Sequence, residues 1–166
     1  MRSLRIVEDS WRWVYKPDLP FPLTVRVIHP DPSACEAMSV QFNRMPDIRV
    51  VASSFEELPP YDAFVTAGNS YGIMTAGIDA AVVRAFGPSI IEAVQFRILN
   101  EFLGEQPVGS AFIVPTSDQR IPLLIHAPTM RMPHDISGTD AVYRATYAGF
   151  LAIYMHNTKV SGRFKR

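Results

Sequence analysis

The chain has 166 residues, 48% of them hydrophobic and 19% charged, enough to bury one core of ordinary domain size and unlike a disordered or fibrous chain. Sixteen basic residues balance sixteen acidic ones, so no overall basic footprint points to nucleic acid or to an anionic membrane. A single cysteine, Cys35, excludes an internal disulfide framework and suits a reducing compartment.

The first residues, "MRSLRIVEDSWRWVYKPD", hold no continuous apolar stretch of the secretory-leader kind. No run approaches the roughly 20 apolar residues of a membrane span. The expected setting is therefore soluble and cytoplasmic, with neither a membrane nor a nucleic acid as partner. Residues 1–22 read as an arm stiffened by Pro17, Pro20 and Pro22. Trp11 and Trp13, two apart, face the same way on an extended strand and are expected to lay the arm onto the domain. The domain itself spans 23–157, and 158–166, "TKVSGRFKR", is a basic tail.

"LTVRVI", Leu23 to Ile28, alternates and is β-rich, so it is the first firm strand. Asp31 is placed to cap a helix with Pro32 at its first position. Ala34, Met38, Phe42 and Met45 recur at three- and four-residue spacing and give that helix one apolar face. "IRVVAS" from Ile48 is the second strand. "DAFVTAG" is the third, nearly all apolar and so expected to be covered on both faces.

Two helices follow, split by Gly87-Pro88. The first runs from about Asp79 to Phe86; the second carries Ile91, Val94, Ile98 and Phe102 on one side and stops at Gly104. Strands are expected at "SAFIVP" from Ser110 and "PLLIHAP" from Pro122. A last helix starts near Ser137, where Ser137 and Asp140 have capping-box spacing, with Val142, Ala145, Gly149 and Ile153 on one side. Two consecutive late strands are unsuited to a helical crossover, so the order predicts an α/β sandwich with a mixed sheet.

The segment "FVTAGNSYGIMTAGIDAAVVRAFG", Phe64 to Gly87, carries the chemistry. Ligands of open α/β sheets collect beyond the carboxyl ends of strands, where loops meet helix N-termini. Gly72 and Gly77 permit close backbone approaches. The amides near Gly77 and Ile78 suit a phosphate. Asn69 offers a donor and an acceptor to a sugar hydroxyl. Asp79 either caps the helix or stands beside a ligand as acceptor or base. Neither a dinucleotide fingerprint nor a P-loop is present.

This segment resembles the first ligand loop of macro domains, the ADP-ribose-binding family: apolar strand, an Asn-Ala-Ala-Asn-like turn, a glycine-rich loop, then Val/Ile-Asp and a helix. Asn69 falls on the second Asn of the turn, and Gly77-Ile78-Asp79 on the Gly-Val-Asp that opens the helix. "QPVGSAFIVPTSDQRIPLLIHAP" is similar to the family's Pro-x-Gly-x-Ala, strand, Ile-His strand. The likeness runs from about Leu23 to Asn157. It implies a three-layer α/β/α sandwich with a mixed central sheet and a cleft for ADP-ribose, free or attached to a protein. Asn69 would hold the distal ribose, and Gly68, Ser70, Gly72, Ala76, Gly77 and Ile78 would line the diphosphate. In hydrolytic members the Asn and Asp of this loop position or activate water, so Asn69 and Asp79 are the candidate catalytic pair for release of ADP-ribose from esters. No cofactor is implied.

The chain also departs from the family. Thr66 stands at the first Asn, and the glycine run is thinned to "MTAG", Met74 to Gly77. The upstream Gly-Asp-Ile aligns with Ser53, Ser54 and Phe55; Ser54 could still bond the adenine, and Phe55 either packs against the base or lies in the core. A further strand and second phosphate loop, which the family carries after the last helix, are not recognisable. A shortened member, or a chain cut before that element, is expected to leave a side uncovered and prone to self-association. A non-catalytic macro-fold module for binding or assembly is the second reading.

Elsewhere, Arg131 in "APTMRMPHDISGTD" either meets a phosphate or is a solvated loop arginine, with His134 and Asp135 nearby in sequence. His126 lies in an apolar strand, as a core histidine would. His29, His126, His134 and His156 have no metal-ligand spacing, so no metal is expected. Cys35 is expected to be a small buried residue.

Overall fold

The computed structural model describes residues 23–160. The expectations for Trp11, Trp13 and the prolines of the arm, and for the tail past residue 160, lie outside the described residues. In chain order the elements are β1 (Val25–His29), α1 (Pro32–Phe42), β2 (Ile48–Ala52), a 3-10 turn (Phe55–Glu57), β3 (Ala63–Thr66), α2 (Gly77–Phe86), α3 (Ser89–Phe102), β4 (Phe112–Pro115), β5 (Leu123–His126) and α4 (Ala141–Val160). This is the expected order with a short 3-10 turn added before β3.

β1 and β2 are parallel, in register from Val25 opposite Ile48 to His29 opposite Ala52, with α1 as the crossover. Asp31 caps α1: its carboxylate accepts from the Ser33 amide at 2.9 Å. Cys35 is buried as expected, its thiol donating to the His29 carbonyl at 3.3 Å. Met45 does not belong to the apolar face. The helix ends at Phe42, the Met45 amide turns back to the Phe42 carbonyl, and the side chain is 50% exposed.

A second ladder has the order β3–β5–β4. β3 and β5 are parallel, from Ala63 opposite Leu123 to Thr66 opposite His126, while β4 and β5 form an antiparallel hairpin. The sheet is thus mixed, because seven residues between β4 and β5 suffice for a hairpin but not for a helical crossover. Among the described residues no hydrogen-bonded ladder joins β2 to β3, so the sheet is in two parts.

Strand alternation sorts the layers. Phe112 and Val114 of β4 and Leu124 of β5 join one buried cluster with Val82 of α2 and Val94 and Ile98 of α3. Phe55 closes this core edge-to-face against Phe64 (4.5 Å) and Phe86 (5.6 Å). On the opposite face lies α4, whose Gly149 would set an added Cβ 3.5 Å from Val65. Helices therefore flank the sheet on both sides, the three-layer arrangement.

Two expectations change on the α4 side. β3 is not covered on both faces: Val65 is 45% exposed, because α4 meets the sheet through small residues and β3 has no second strand beside it among the described residues. The buried positions of α4 are Ala141, Ala145, Ala148, Gly149 and Thr158, so Ala145 and Gly149 of the expected face are buried whereas Val142 is exposed. The helix starts later than Ser137, whose amide and hydroxyl are taken by Asp135 at 2.8 and 2.6 Å. The Asp140 carbonyl accepts the first helical bond, from Arg144, so no Ser137 capping box opens the helix.

Candidate functional site

The loop between β3 and α2 sits where the pattern of parallel strands places ligands, past the carboxyl end of β3. Its first half is fastened to the segment after β5. The Ser70 amide is shared between the Met130 and Arg131 carbonyls at 3.0 and 3.2 Å, and Thr129 donates to the Gly68 carbonyl at 3.1 Å. From below, Gln106 donates its amide to the Ser70 carbonyl at 2.9 Å. Gly68 and Ser70 are consequently buried, and their backbone groups serve this seam.

Asn69 is also buried, 4% exposed. Its side-chain oxygen accepts from the Tyr71 and Ile73 amides at 3.1 and 3.2 Å, and its side-chain nitrogen donates to the Ile73 carbonyl at 3.0 Å. These bonds fold residues 69–73 into one turn, the local role for which asparagine is favoured. Gly72 completes it with φ +62; a Cβ there would come within 2.9 Å of Val94.

The second half of the loop faces outward. The thinned glycine run is accommodated by turning Met74 into the core, 2% exposed, while Thr75, Ala76 and Gly77 stay exposed. α2 then begins on Gly77 with φ +56. Its cap position is Ala76, which supplies no side-chain hydrogen bond, and the first helical bond runs from Ala80 to the Ala76 carbonyl. The amides of the first turn are left without helical acceptors at the positive end of the helix dipole. Such an end attracts an anion.

Asp79 does not cap the helix. It is 5% exposed and its carboxylate accepts the Thr66 hydroxyl at 2.5 Å. Burial pushes its pKa up, and the Thr66 bond pulls it back only in part. Asn69 and Asp79 thus hydrogen-bond to different partners, one within the loop and one back to β3.

The remaining candidates are dispersed. Phe55 is a core residue, and the Ser54 amide donates to the Glu57 carboxylate at 3.2 Å in the turn before β3. Arg131 is exposed yet engaged: it makes two bonds to Glu105, at 2.7 and 2.9 Å, and lies over the Tyr71 ring. Tyr71 donates to the same carboxylate at 2.8 Å, so Glu105 ties Arg131 to the loop. Sequence reasoning missed Thr66, Tyr71, Glu105 and Gln106 as parts of this assembly. Their partners lie 13 to 34 residues away, at spacings that no motif records.

Beneath the loop, His126 holds Gln106 Oε1 at 2.6 Å through Nδ1, which places the proton on that nitrogen. Its Nε2 has no partner among the described residues, and burial lowers the pKa to about 4. A Cβ on Gly68 would stand 2.3 Å from that nitrogen. Among the described residues no three His, Cys, Asp or Glu side chains are grouped so as to hold a metal ion. None of the described helices is long and apolar enough to cross a membrane.

The sequence profile of the family described as Macro domain matches residues 65–159, more than half of the chain. The chain belongs to the Macro domain family. The match begins within β3 and takes in the loop, α2, α3, the hairpin and nearly all of α4, the elements that build the site.

An uncharacterized protein of Aquifex aeolicus (strain VF5) is 35% identical over 103 residues, covering 61% of this chain and 58% of that protein. The Macro domain-containing protein TTE0995 of Caldanaerobacter subterraneus subsp. tengcongensis is 36% identical over 66 residues, 40% of this chain and 37% of that one. The chain therefore spans only about half the length of the curated relatives it matches. Among solved structures, the Oceanobacillus iheyensis macrodomain with MES bound superposes with a TM-score of 0.53 at 20% identity, covering 63% of this chain and 56% of the other. The same macrodomain with ADP gives 0.50 at 22% identity, covering 66% and 56%. A mutant of it with ADPR also gives 0.50 at 22%, covering 66% and 57%. These structural likenesses speak for the shared macrodomain fold.

Proposed function

We propose that this macro domain binds ADP-ribose, free or attached to a protein, on the loop from Gly68 to Ile78. The observation that carries the reading is the uncapped first turn of α2 behind exposed Thr75, Ala76 and Gly77, which aims free amides outward at the end of a strand. That a relative of the same fold is solved with ADPR supports it. In this reading Gly72, Ala76, Gly77 and Ile78 approach the diphosphate, with Gly68 and Ser70 holding the loop from beneath. Asn69 shapes the turn beside the ribose. Ser54 takes the adenine, backed by Phe55 from the core, and Arg131 shields the phosphate side. A cytoplasmic setting fits the single buried thiol.

Hydrolysis of an ADP-ribosyl ester through Asn69 and Asp79 extends the same reading. A carboxyl raised by burial suits a base working near neutrality. The second reading, a non-catalytic module for binding or assembly, draws on a specific observation: both side chains are buried and already hydrogen-bonded within the protein. The exposed Tyr143, Tyr147 and Leu151 of α4 add an uncovered apolar side that suits assembly.

Calorimetry with ADP-ribose tests binding. A saturable heat that Gly77→Val abolishes is expected, since a β-branched residue resists φ +56; silence at millimolar ligand removes the binding reading. Release of ADP-ribose from a glutamate- or aspartate-modified protein then separates the two variants of the function. Turnover that falls with Asp79→Ala supports catalysis, and binding without turnover leaves the non-catalytic module.

A further inference from the structure

Thr66 is fully buried, and the strands beside it hold it in place. It stands opposite His126 in the parallel β3–β5 ladder, and its carbonyl accepts the Ala127 amide at 3.1 Å. His126 stands in turn opposite Phe112 of β4 and stacks on its ring at 5.4 Å. Phe112, His126 and Thr66 thus form one row across three strands, sharing one face of the sheet. The row ends on α2, where the Thr66 hydroxyl meets Asp79 at 2.5 Å. A β-branched side chain has few χ1 states, so the strands rather than the loop set where that hydroxyl points.

Asp79 meets the hydroxyl through Oδ1, and Oδ2 has no hydrogen-bond partner among the described residues. Unlike Nε2 of His126, Oδ2 is not sealed from water, and the 5% of Asp79 that stays exposed includes it. Asp79 is the third residue of α2, directly after exposed Ala76 and Gly77 at the helix start. One carboxylate oxygen is therefore committed to the strand and the other is open.

We infer that Thr66 is the positioning residue of Asp79, fixing the proton of the neutral acid on Oδ2, so that this oxygen alone exchanges a proton with a ligand or a water. The sense of the bond carries the inference. The Thr66 hydroxyl makes no other hydrogen bond among the described residues, so its one proton goes to Oδ1, which must then be unprotonated. The neutral acid donates from Oδ2, and the carboxylate accepts there. In ester hydrolysis Oδ2 takes a proton from the attacking water, whose oxygen bonds the acyl carbon. The acyl–oxygen bond breaks, and the departing ribose oxygen recovers the proton from Oδ2. This catalytic consequence rests on the hydrolytic reading proposed above; the placement of the proton does not. The same bond offsets part of the rise that burial gives the carboxyl, so without it Asp79 keeps its proton to higher pH.

Carboxyl-carbon NMR of Asp79 in the full chain tests the inference without turnover. The titration midpoint should move to higher pH in Thr66→Val and return in Thr66→Ser, which keeps the hydroxyl. A residue that only supports packing would lower the melting temperature of the valine variant and leave this midpoint in place. In release of ADP-ribose from a glutamate-modified protein, Thr66→Val should lower kcat about 10- to 100-fold with KM nearly unchanged, as for a misplaced reacting group. Coincident midpoints in the parent and the valine variant overturn the inference. So does a valine variant with the parental kcat and pH profile. A midpoint that moves as expected in a chain that releases no ADP-ribose overturns the hydrolytic reading and still supports the placement of the proton.

Discussion

Thr66, the last residue of β3, donates its hydroxyl to Asp79, in the first turn of α2, across a 2.5 Å hydrogen bond inside the protein. The bond closes the β3–α2 loop at its base, so its two ends are held together whatever the exposed middle does. It also leaves a carboxyl buried with one donor in place of a hydration shell. The fold then favours the protonated acid, a contribution present below the ordinary value of 3.8 and lost as pH rises through the raised folded value. Asp79→Asn keeps the acceptor for Thr66 and removes the charge. It should melt at a higher temperature than the parent at pH 7, with the gap narrowing towards pH 3.5. A lower melting temperature at pH 7 contradicts this account.

Removing the donor has the opposite effect. Thr66→Val preserves shape but strands the Asp79 oxygen, and an unsatisfied buried group costs about 1–3 kcal/mol. Thr66→Ser retains the hydroxyl and should recover most of that loss. Urea unfolding of the pair measures the difference, and equal midpoints for Val and Ser would show that the bond contributes nothing.

Gly68 is fixed by its neighbour. A Cβ would lie 2.3 Å from Nε2 of His126, a ring held by Gln106 on one side and stacked on Phe112 (5.4 Å) on the other. Such a ring cannot swing away cheaply, so Gly68→Ala should cost about 2–3 kcal/mol by overpacking. The double variant Gly68→Ala with His126→Ala should recover part of it. Thermal unfolding that leaves Gly68→Ala at the parental midpoint refutes the close contact.

The same histidine makes stability depend on pH. Its folded pKa is lowered from 6.5 to about 4 by burial, so the unfolded chain binds its proton first. The contribution is complete above pH 6.5 and lost as pH falls towards about 4, in total on the order of 3 kcal/mol. Denaturation curves between pH 7.5 and 4 should show this loss, and a flatter profile in His126→Phe would assign it.

Asn69 is the loop's internal brace. Asn69→Ala removes three hydrogen bonds that hold residues 69–73 and should raise amide exchange at Tyr71 and Ile73 by at least ~10-fold, without comparable change in α3. Exchange that rises equally throughout would mean global destabilisation rather than release of the loop.

Much of the fold was legible because its signals are local. Asp31 before Pro32 announced α1, and the alternation of "LTVRVI" announced β1. The β3–α2 loop was legible as a family pattern, with its strand, glycines and helix start in order. What side chains do inside it was not. Thr66 looked like a lost asparagine, whereas in space it is the partner of Asp79; Arg131 looked free, whereas Glu105 and Tyr71 occupy it. Pairings across 13 or 26 residues depend on how strands stack, which periodicity does not encode. On α4 the expected Ala145 and Gly149 are buried and Ile153 half-buried, but Val142 is exposed, because the helix meets the sheet through small residues and the larger apolar one was a poor guide.

The division of the sheet has a mechanical consequence. Among the described residues β1, α1 and β2 form a crossover unit with its own two-stranded ladder, while β3, β5 and β4 share a separate one. Between Ala52 and Ala63 the chain passes from one to the other through a single 3-10 turn, with Phe55 and Leu58 as its anchors in the main core. Among the described residues the first unit meets the rest through side chains, Ile28 packed on the main core and Arg26 over the Tyr61 ring (5.2 Å), rather than through a continuous row of hydrogen bonds. Strain in the first unit therefore reaches the β3–α2 loop by packing alone, and that loop is braced separately from the segment after β5.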